Sequence, residues 1–316
     1  MSELDQAVRA VVRDCLGVSE GEDALVVCNR ATRGLGERLR DEAGRAGADA
    51  VLALMAERAS HGAEPPGPIA AAMLRADVVL APTVQSLSHT AARRAATEAG
   101  GRIATLPGVT EEMLARVMSA DMELLRRKGG AIAAALTAAT EARLTCPNGS
   151  DLTLGLEGRT GICDAGELTE PGAFGNLPCG EGFIAPVEGT SEGRLVVDGT
   201  IAAVGLGDEP AELVIEGGHL RSASGERGER LMELLTAAGP DGTNVAELGI
   251  GTNEKAILTG ELLEDEKLLG TAHVAFGASA AIGGTVQVPV HLDCLVLKPD
   301  LTVDGEPVVR NGSLVL

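Results

Sequence analysis

Ala24-Leu-Val-Val-Cys28 is a short apolar run, residues 33–46 carry a helical pattern, and Ala50-Val-Leu-Ala-Leu54 is a second apolar run. That order, strand then helix then strand, decides the fold of the first half, because two strands joined through a helix lie parallel with a right-handed crossover. The alternation continues outward. Upstream, Leu4, Val8, Val11, Val12 and Cys15 share one helical face over residues 3–16, and Gly17 ends it. Downstream, residues 68–75 read as helix, 77–80 as strand, 88–99 as helix and 102–106 as strand. Thr110, with Glu111 and Glu112 in the first turn, opens a further helix. The expectation is an α/β N-terminal domain with a mostly parallel sheet over residues 1–141.

A helix over residues 121–140 is expected to link the two halves, and after it the grammar changes. Residues 142–146, 151–156, 193–197, 201–204 and 212–216 read as short strands parted by Gly, Asn and Asp turns. One amphipathic helix, over 225–238, precedes further strands at 245–248, 271–276, 286–291 and 292–298. A β-rich α+β catalytic domain is therefore expected over residues 142–316.

Composition narrows the class. The 316 residues suit two domains, and 45% of them are hydrophobic, with three Phe and no Trp or Tyr. A formal charge of -20, with no basic stripe, argues against nucleic acid, whose phosphates require clustered cations. Six cysteines, at 15, 28, 146, 163, 179 and 294, form no Cys-x-x-Cys pair, which suits a reducing compartment. There is neither a basic-then-apolar leader nor a run of the ~20 apolar residues a membrane span needs. The chain reads as a soluble cytoplasmic protein acting on a small molecule or short peptide.

The chemistry gathers near the end. In Val286-Gln-Val-Pro-Val-His-Leu-Asp-Cys-Leu-Val-Leu297, a strand points His291 and Asp293 to one side. A divalent metal would satisfy both, although the ordinary reading of such a pair is a hydrogen bond at a sheet edge. His273 lies in another strand, and two His with one Asp is the ligand set of non-haem Fe(II) sites. Added glutamates would suit a two-metal hydrolytic site instead. Glu247, in Val245-Ala-Glu-Leu-Gly-Ile-Gly-Thr-Asn253, and Glu181, in a Gly/Pro-rich loop, are the candidates, against the ordinary reading of solvated surface carboxylates. Phe174, Phe183 and Phe276 lie near these residues in sequence, and either wall a substrate pocket or fill the core. His89, in Ser86-Leu-Ser-His89, follows a strand of the first sheet and could face a ligand there, with Ser88 as the alternative helix cap. Gly34-Leu-Gly36 lacks the third glycine of a dinucleotide fingerprint, since residue 39 is Leu. Cys179, His61 and His219 carry no mark of activation.

Asn176-Leu-Pro-Cys-Gly-Glu-Gly-Phe-Ile-Ala-Pro186 resembles the Asn-Met-Pro-Thr-Glu-Glu-Val-Phe-Thr-Ala-Pro motif of the thermophilic metallo-aminopeptidases. Ala246-Glu247-Leu248, Asp265-Glu266, His273-Val-Ala-Phe-Gly277 and His291-Leu-Asp293 follow in that family's order. The resemblance implies two metal ions, zinc or cobalt, on Glu181, Glu247, His273, His291 and Asp293. It also implies Glu266 as general base, an N-terminal α/β domain before a C-terminal catalytic domain, and a homodimer. The expected activity is a metal-dependent hydrolase in which metal-activated water attacks an amide carbonyl. The family's first paired Glu is Gly180 here, and its tyrosine position is Ala280. The same resemblance extends to the 2,5-dihydroxypyridine dioxygenases. There it implies one Fe(II) on His273, His291 and Asp293, and no tyrosine is needed. A non-catalytic small-molecule-binding protein with a degenerate site is the further alternative.

Overall fold

The computed structural model describes residues 2–316, which form two compact units. One runs up to Ala120 and takes in Gly166–Cys179; the other is Asp121–Ala165 with Gly180–Leu316.

The first unit is the α/β unit read from the alternating pattern. Helix α1 (Glu3–Arg9) starts at a capping box, in which Ser2 and Asp5 each accept the other's backbone N–H, and it runs on into a π-helical turn at Ala10–Cys15. Strand β1 (Asp23–Cys28), helix α2 (Arg33–Arg45), β2 (Asp49–Leu54), α3 (Gly67–Met73) and β3 (Val78–Ala81) follow. Next come α4 (Ala91–Glu98), β4 (Arg102–Thr105) and α5 (Glu111–Val117). Leu25, Val27, Val79, Ile103 and Met73 are buried together, because each parallel strand has a helix on its face. The cap of α4 is Thr90 rather than Ser88: Thr90 Oγ1 accepts from Arg93 N–H, while Ser88 Oγ joins Ser86, Thr105 and Asn176 in a buried polar network.

Helix α6 (Met122–Ala138) opens the second unit, capped by Asp121, which accepts from the backbone N–H groups of Glu123 and Leu124. Strands β5 (Glu141–Thr145), β6 (Asp151–Gly155) and β7 (Ile162–Asp164) follow it. The chain then re-enters the first unit, where β8 (Phe174–Asn176) adds in parallel to β4 and gives the sheet order β2-β1-β3-β4-β8. The expected boundary near residue 141 is thus replaced by a division after Ala120 with a returning segment. The reason is packing: Gly129 lies against Cys163 and the Glu181 carbonyl, and Ile132 lies against Gly182, so α6 belongs with β7 and the strand after residue 180.

That strand is β9 (Glu181–Ile184); β10 (Glu192–Val197), β11 (Ala211–Glu216), β12 (His219–Ser224), α7 (Glu226–Ala237) and β13 (Val245–Gly251) come next. Helix α8 (Leu262–Asp265) leads to β14 (Ala272–Gly277) and β15 (His291–Val296). The chain closes with β16 (Asp300–Val303), β17 (Glu306–Arg310) and β18 (Ser313–Leu314). An eight-stranded sheet, β12-β11-β10-β6-β5-β16-β17-β18, and a five-stranded sheet, β15-β14-β13-β9-β7, share one apolar core. Residues 201–204 form a turn with an isolated bridge rather than a strand, and 286–290 stay irregular before β15.

Candidate metal centre

The five-stranded sheet has one oily face and one polar face, as strand alternation requires. Ile184, Leu248, Ile250, Val274, Phe276, Leu292, Cys294 and Val296 enter the core. The register places the others opposite one another: Asp164 across from Glu181, Glu181 from Gly251, and Phe183 from Gly249. Gly249 is in turn across from His273, and Glu247 and Asp293 both flank Ala275. A bulge between Val245 and Glu247 brings Glu247 onto this face. Phe276, expected as a possible pocket wall, is wholly buried on the core face, one residue out of phase with Ala275. Phe183 is half-buried on the polar face, and Phe174 lies in β8 of the other unit under the Arg93 guanidinium.

His273 Nε2 is 3.2 Å from Glu247 Oε1 and 3.3 Å from Glu181 Oε2. His291 Nε2 is 3.3 Å from Glu247 Oε2 and 3.6 Å from Asp293 Oδ1. His291 Nδ1 lies 2.7 Å from Ala278 O and donates to it, which leaves Nε2 to face the carboxylates, donating to them when protonated and offering a lone pair to a metal when neutral. Beside them, Lys267 Nζ pairs with Glu181 Oε1, with Glu266 Oε1 at 2.8 Å and with Asp164 Oδ2 at 3.6 Å. Glu181, Glu247, Glu266, His273 and Asp293 are all buried. His89 is exposed in the first unit, with its carbonyl accepting from Arg94. His61 and His219 are held by Ser86 and Thr243 respectively.

Burial and mutual charge set the protonation. Burial pushes Glu181 up to about 8 despite the opposing ammonium of Lys267. Burial likewise raises Glu266. Burial alone would depress His273, yet its hydrogen bond to Glu247 and the charges of Glu181 and Asp293 lift it to about 9. His291 is raised well above the usual imidazole range, chiefly by Asp293 acting against burial. For Glu247, the hydrogen bonds from His273 and His291 outweigh burial and hold it low; for Asp293, the charge and hydrogen bond of His291 do the same. Without a metal the imidazoles take protons as counter-charges.

A divalent cation fits this donor set. Glu181, Glu247 and His273 present ligand atoms within 4.8 Å of one another, and so do Glu247, His291 and Asp293. Glu181 Oε2 is buried without a hydrogen-bond partner, an arrangement that costs free energy unless something else satisfies the group. Carboxylate and imidazole donors suit iron, zinc or manganese. Sequence reading missed Lys267 and Asp164 as members of this cluster. The signal for Lys267 was its rarity: Lys128, Lys255 and Lys298 are the other lysines. Asp265, beside Glu266, is a structural group whose carboxylate accepts from Thr200 Oγ1, Thr259 N and Oγ1, and Gly260 N.

An α/β unit followed by a β-rich unit with a buried carboxylate–imidazole cage defines the class: an enzyme fold with a site for a divalent cation. The chain belongs to the 2,5-dihydroxypyridine 5,6-dioxygenase family, NicX, whose sequence profile matches residues 7–316. It is 26% identical over 225 residues to the 2,5-dihydroxypyridine 5,6-dioxygenase of Pseudomonas putida, an alignment covering 65% of this chain and 62% of that one. The solved structure of the Pseudomonas putida 2,5-dihydroxypyridine dioxygenase has a TM-score of 0.85 at 22% identity, over 100% of this chain and 98% of that one. Wild-type AmpT from Thermus thermophilus has a TM-score of 0.73 at 19% identity, over 99% of each chain. At these identities the two structures are likenesses of fold. The expected aminopeptidase-type hydrolase, and with it the reading as a metalloprotease, is overturned by the family match and the curated relative, both of which carry the dioxygenase name. Among the described residues no helix is long and apolar enough to cross a membrane.

Proposed function

We propose that the protein is an oxygen-dependent, ring-cleaving dioxygenase acting on a dihydroxylated pyridine, with one Fe(II) held by His273, His291 and Asp293. The observation that carries the reading is the convergence of both imidazole Nε2 atoms on the Glu247 carboxylate, beside Asp293. Two neutral imidazoles and one carboxylate are the donor set of a non-haem ferrous site with open positions. Ferrous iron, when bound, would supply the electron exchange that lets dioxygen react with a closed-shell ring.

The chain's own residues bind and orient. His291 keeps its Nδ1–H on Ala278 O, so the ring cannot turn its other nitrogen away from the site. Phe183, half-buried on the polar face, offers its ring to a flat substrate. Glu266, whose affinity for a proton burial has raised, takes the proton of a substrate hydroxyl.

The test is oxygen uptake by iron-reconstituted protein supplied with 2,5-dihydroxypyridine. The reading expects consumption of one dioxygen per ring, with loss of the ring's ultraviolet absorbance. Fully iron-loaded protein that takes up no oxygen with any dihydroxypyridine isomer would defeat it.

A further inference from the structure

Lys267 heads the largest wholly buried side chains, with no exposed surface. An ammonium has three donors and no acceptor, and here three carboxylates surround it: Glu181 from β9, Glu266 from the end of α8, and Asp164 from β7. Carboxylates brought to one point from three chain segments are what a hard divalent cation also needs. The lysine is placed by backbone, independently of any ion. Asn253 N–H donates to Lys267 O at 2.9 Å. A β-carbon at Gly251 would fall 2.1 Å from Leu268 O and 2.8 Å from Lys267 C, so only glycine lets this segment lie against β13. Glu181 spans both halves of the cluster, with Oε1 on Lys267 and Oε2 3.3 Å from His273 Nε2.

We propose that the Lys267 ammonium takes the place of a second cation among Glu181, Glu266 and Asp164, and so restricts the centre to one divalent ion. The inference rests on the single-iron reading above only for the ion at His291 and Asp293. Like charges in a buried site repel strongly, and a second divalent ion near Glu181 would have to sit beside an ammonium that cannot move away. Lys267 is a specificity-determining residue by this account: it sets the number of metal ions, and one ion with open positions suits binding of a bidentate ring and dioxygen.

The test counts metal rather than turnover. Metal-stripped full-length protein is dialysed against Mn(II), a redox-stable probe, and the bound metal is counted by mass spectrometry. The native protein is expected to hold one equivalent, Lys267→Met two, and Lys267→Met with Glu266→Gln one again. Two equivalents in the native protein, or one in Lys267→Met, overturn the proposal while leaving a metal site in place. No equivalent in the native protein overturns the metal reading itself, and this inference with it. Should Lys267→Met fail to fold, Lys267→Gln, neutral but still able to donate, replaces it with the same two outcomes.

Discussion

The imidazole of His273 lies across the bare Cα of Gly249: a β-carbon on residue 249 would stand 2.0 Å from His273 Nε2. The two residues are register partners on β13 and β14, so the missing side chain is what opens the polar face to the ring. Glycine weakens a strand interior, and here that weakness makes space for the His273 imidazole.

Gly249→Ala is therefore expected to turn the His273 ring out of line. Metal affinity should fall by about 10- to 100-fold, the usual scale for disturbing what supports a ligand, with a stability loss of about 1–3 kcal/mol from overpacking. Metal titration and denaturant melts check the two effects, and unchanged affinity would show that His273 does not ligate.

Gly129 and Gly130 are neighbours on α6 with opposite surroundings. A β-carbon at Gly129 would meet Cys163 Sγ at 2.7 Å, whereas one at Gly130 meets nothing within 4 Å. Gly130→Ala should stabilise the protein by about 1 kcal/mol through helix propensity. Gly129→Ala should destabilise it by about 1–3 kcal/mol. Paired denaturant melts read the difference in sign.

Asp265 and Glu266 are adjacent, and both are buried. Asp265→Ala would strand the buried Thr200 hydroxyl and free the half-exposed N–H groups of Thr259 and Gly260 to water, so a stability loss of about 1–3 kcal/mol is expected, the cost of one stranded buried donor. Glu266→Gln is expected to lower kcat by about 10²- to 10⁴-fold, the range of general acid–base catalysis, with metal content unchanged. Parallel melts, metal counts and turnover assays separate the two roles.

Metal-free protein should be most stable in weak acid. His273, raised from 6.5 to about 9 in the folded state, contributes stability that is complete below 6.5 and lost as pH rises to 9. Glu181, raised from 4.5 to about 8, acts in the same sense: its contribution is complete below 4.5 and lost on the way to 8. Glu247 and Asp293 are depressed, so their contribution is present above their ordinary values and lost as the solution is acidified through the folded ones. Metal binding displaces the imidazole protons, so affinity should rise with pH and each binding event should release protons. Unfolding measured from pH 4 to 9 with and without Mn(II) tests this; metal-free stability that climbs from pH 6.5 to 9 would contradict it.

Much of the fold was legible because it rests on local periodicity. Repeats near 3.6 residues alternating with short apolar runs specified the parallel sheet, and the change to short strands marked the β-rich unit. The legible part of the site was His291-x-Asp293, whose residues share a face by strand geometry, together with His273. Strand β9 hid in a Gly/Pro-rich stretch read as a loop, and β8 hid as a returning segment, because neither holds together without its partner strand. Phe276 was misplaced for a simpler reason: closeness to His273 in sequence says nothing of phase, and in a strand an odd offset sends the side chain to the other face.

The sequence by itself determined the two kinds of architecture and the chemistry of the donors, since both follow from residue type and local spacing. Tertiary structure decided which carboxylate meets which cation. Strand pairing sets Asp164 beside Glu181, and the segment after α8, lying against β13 at Gly251, carries Lys267 to both. Because the strength of a charge interaction depends on separation and burial, that packing sorts Glu181 and Glu266 onto an ammonium while His291 and Asp293 face each other.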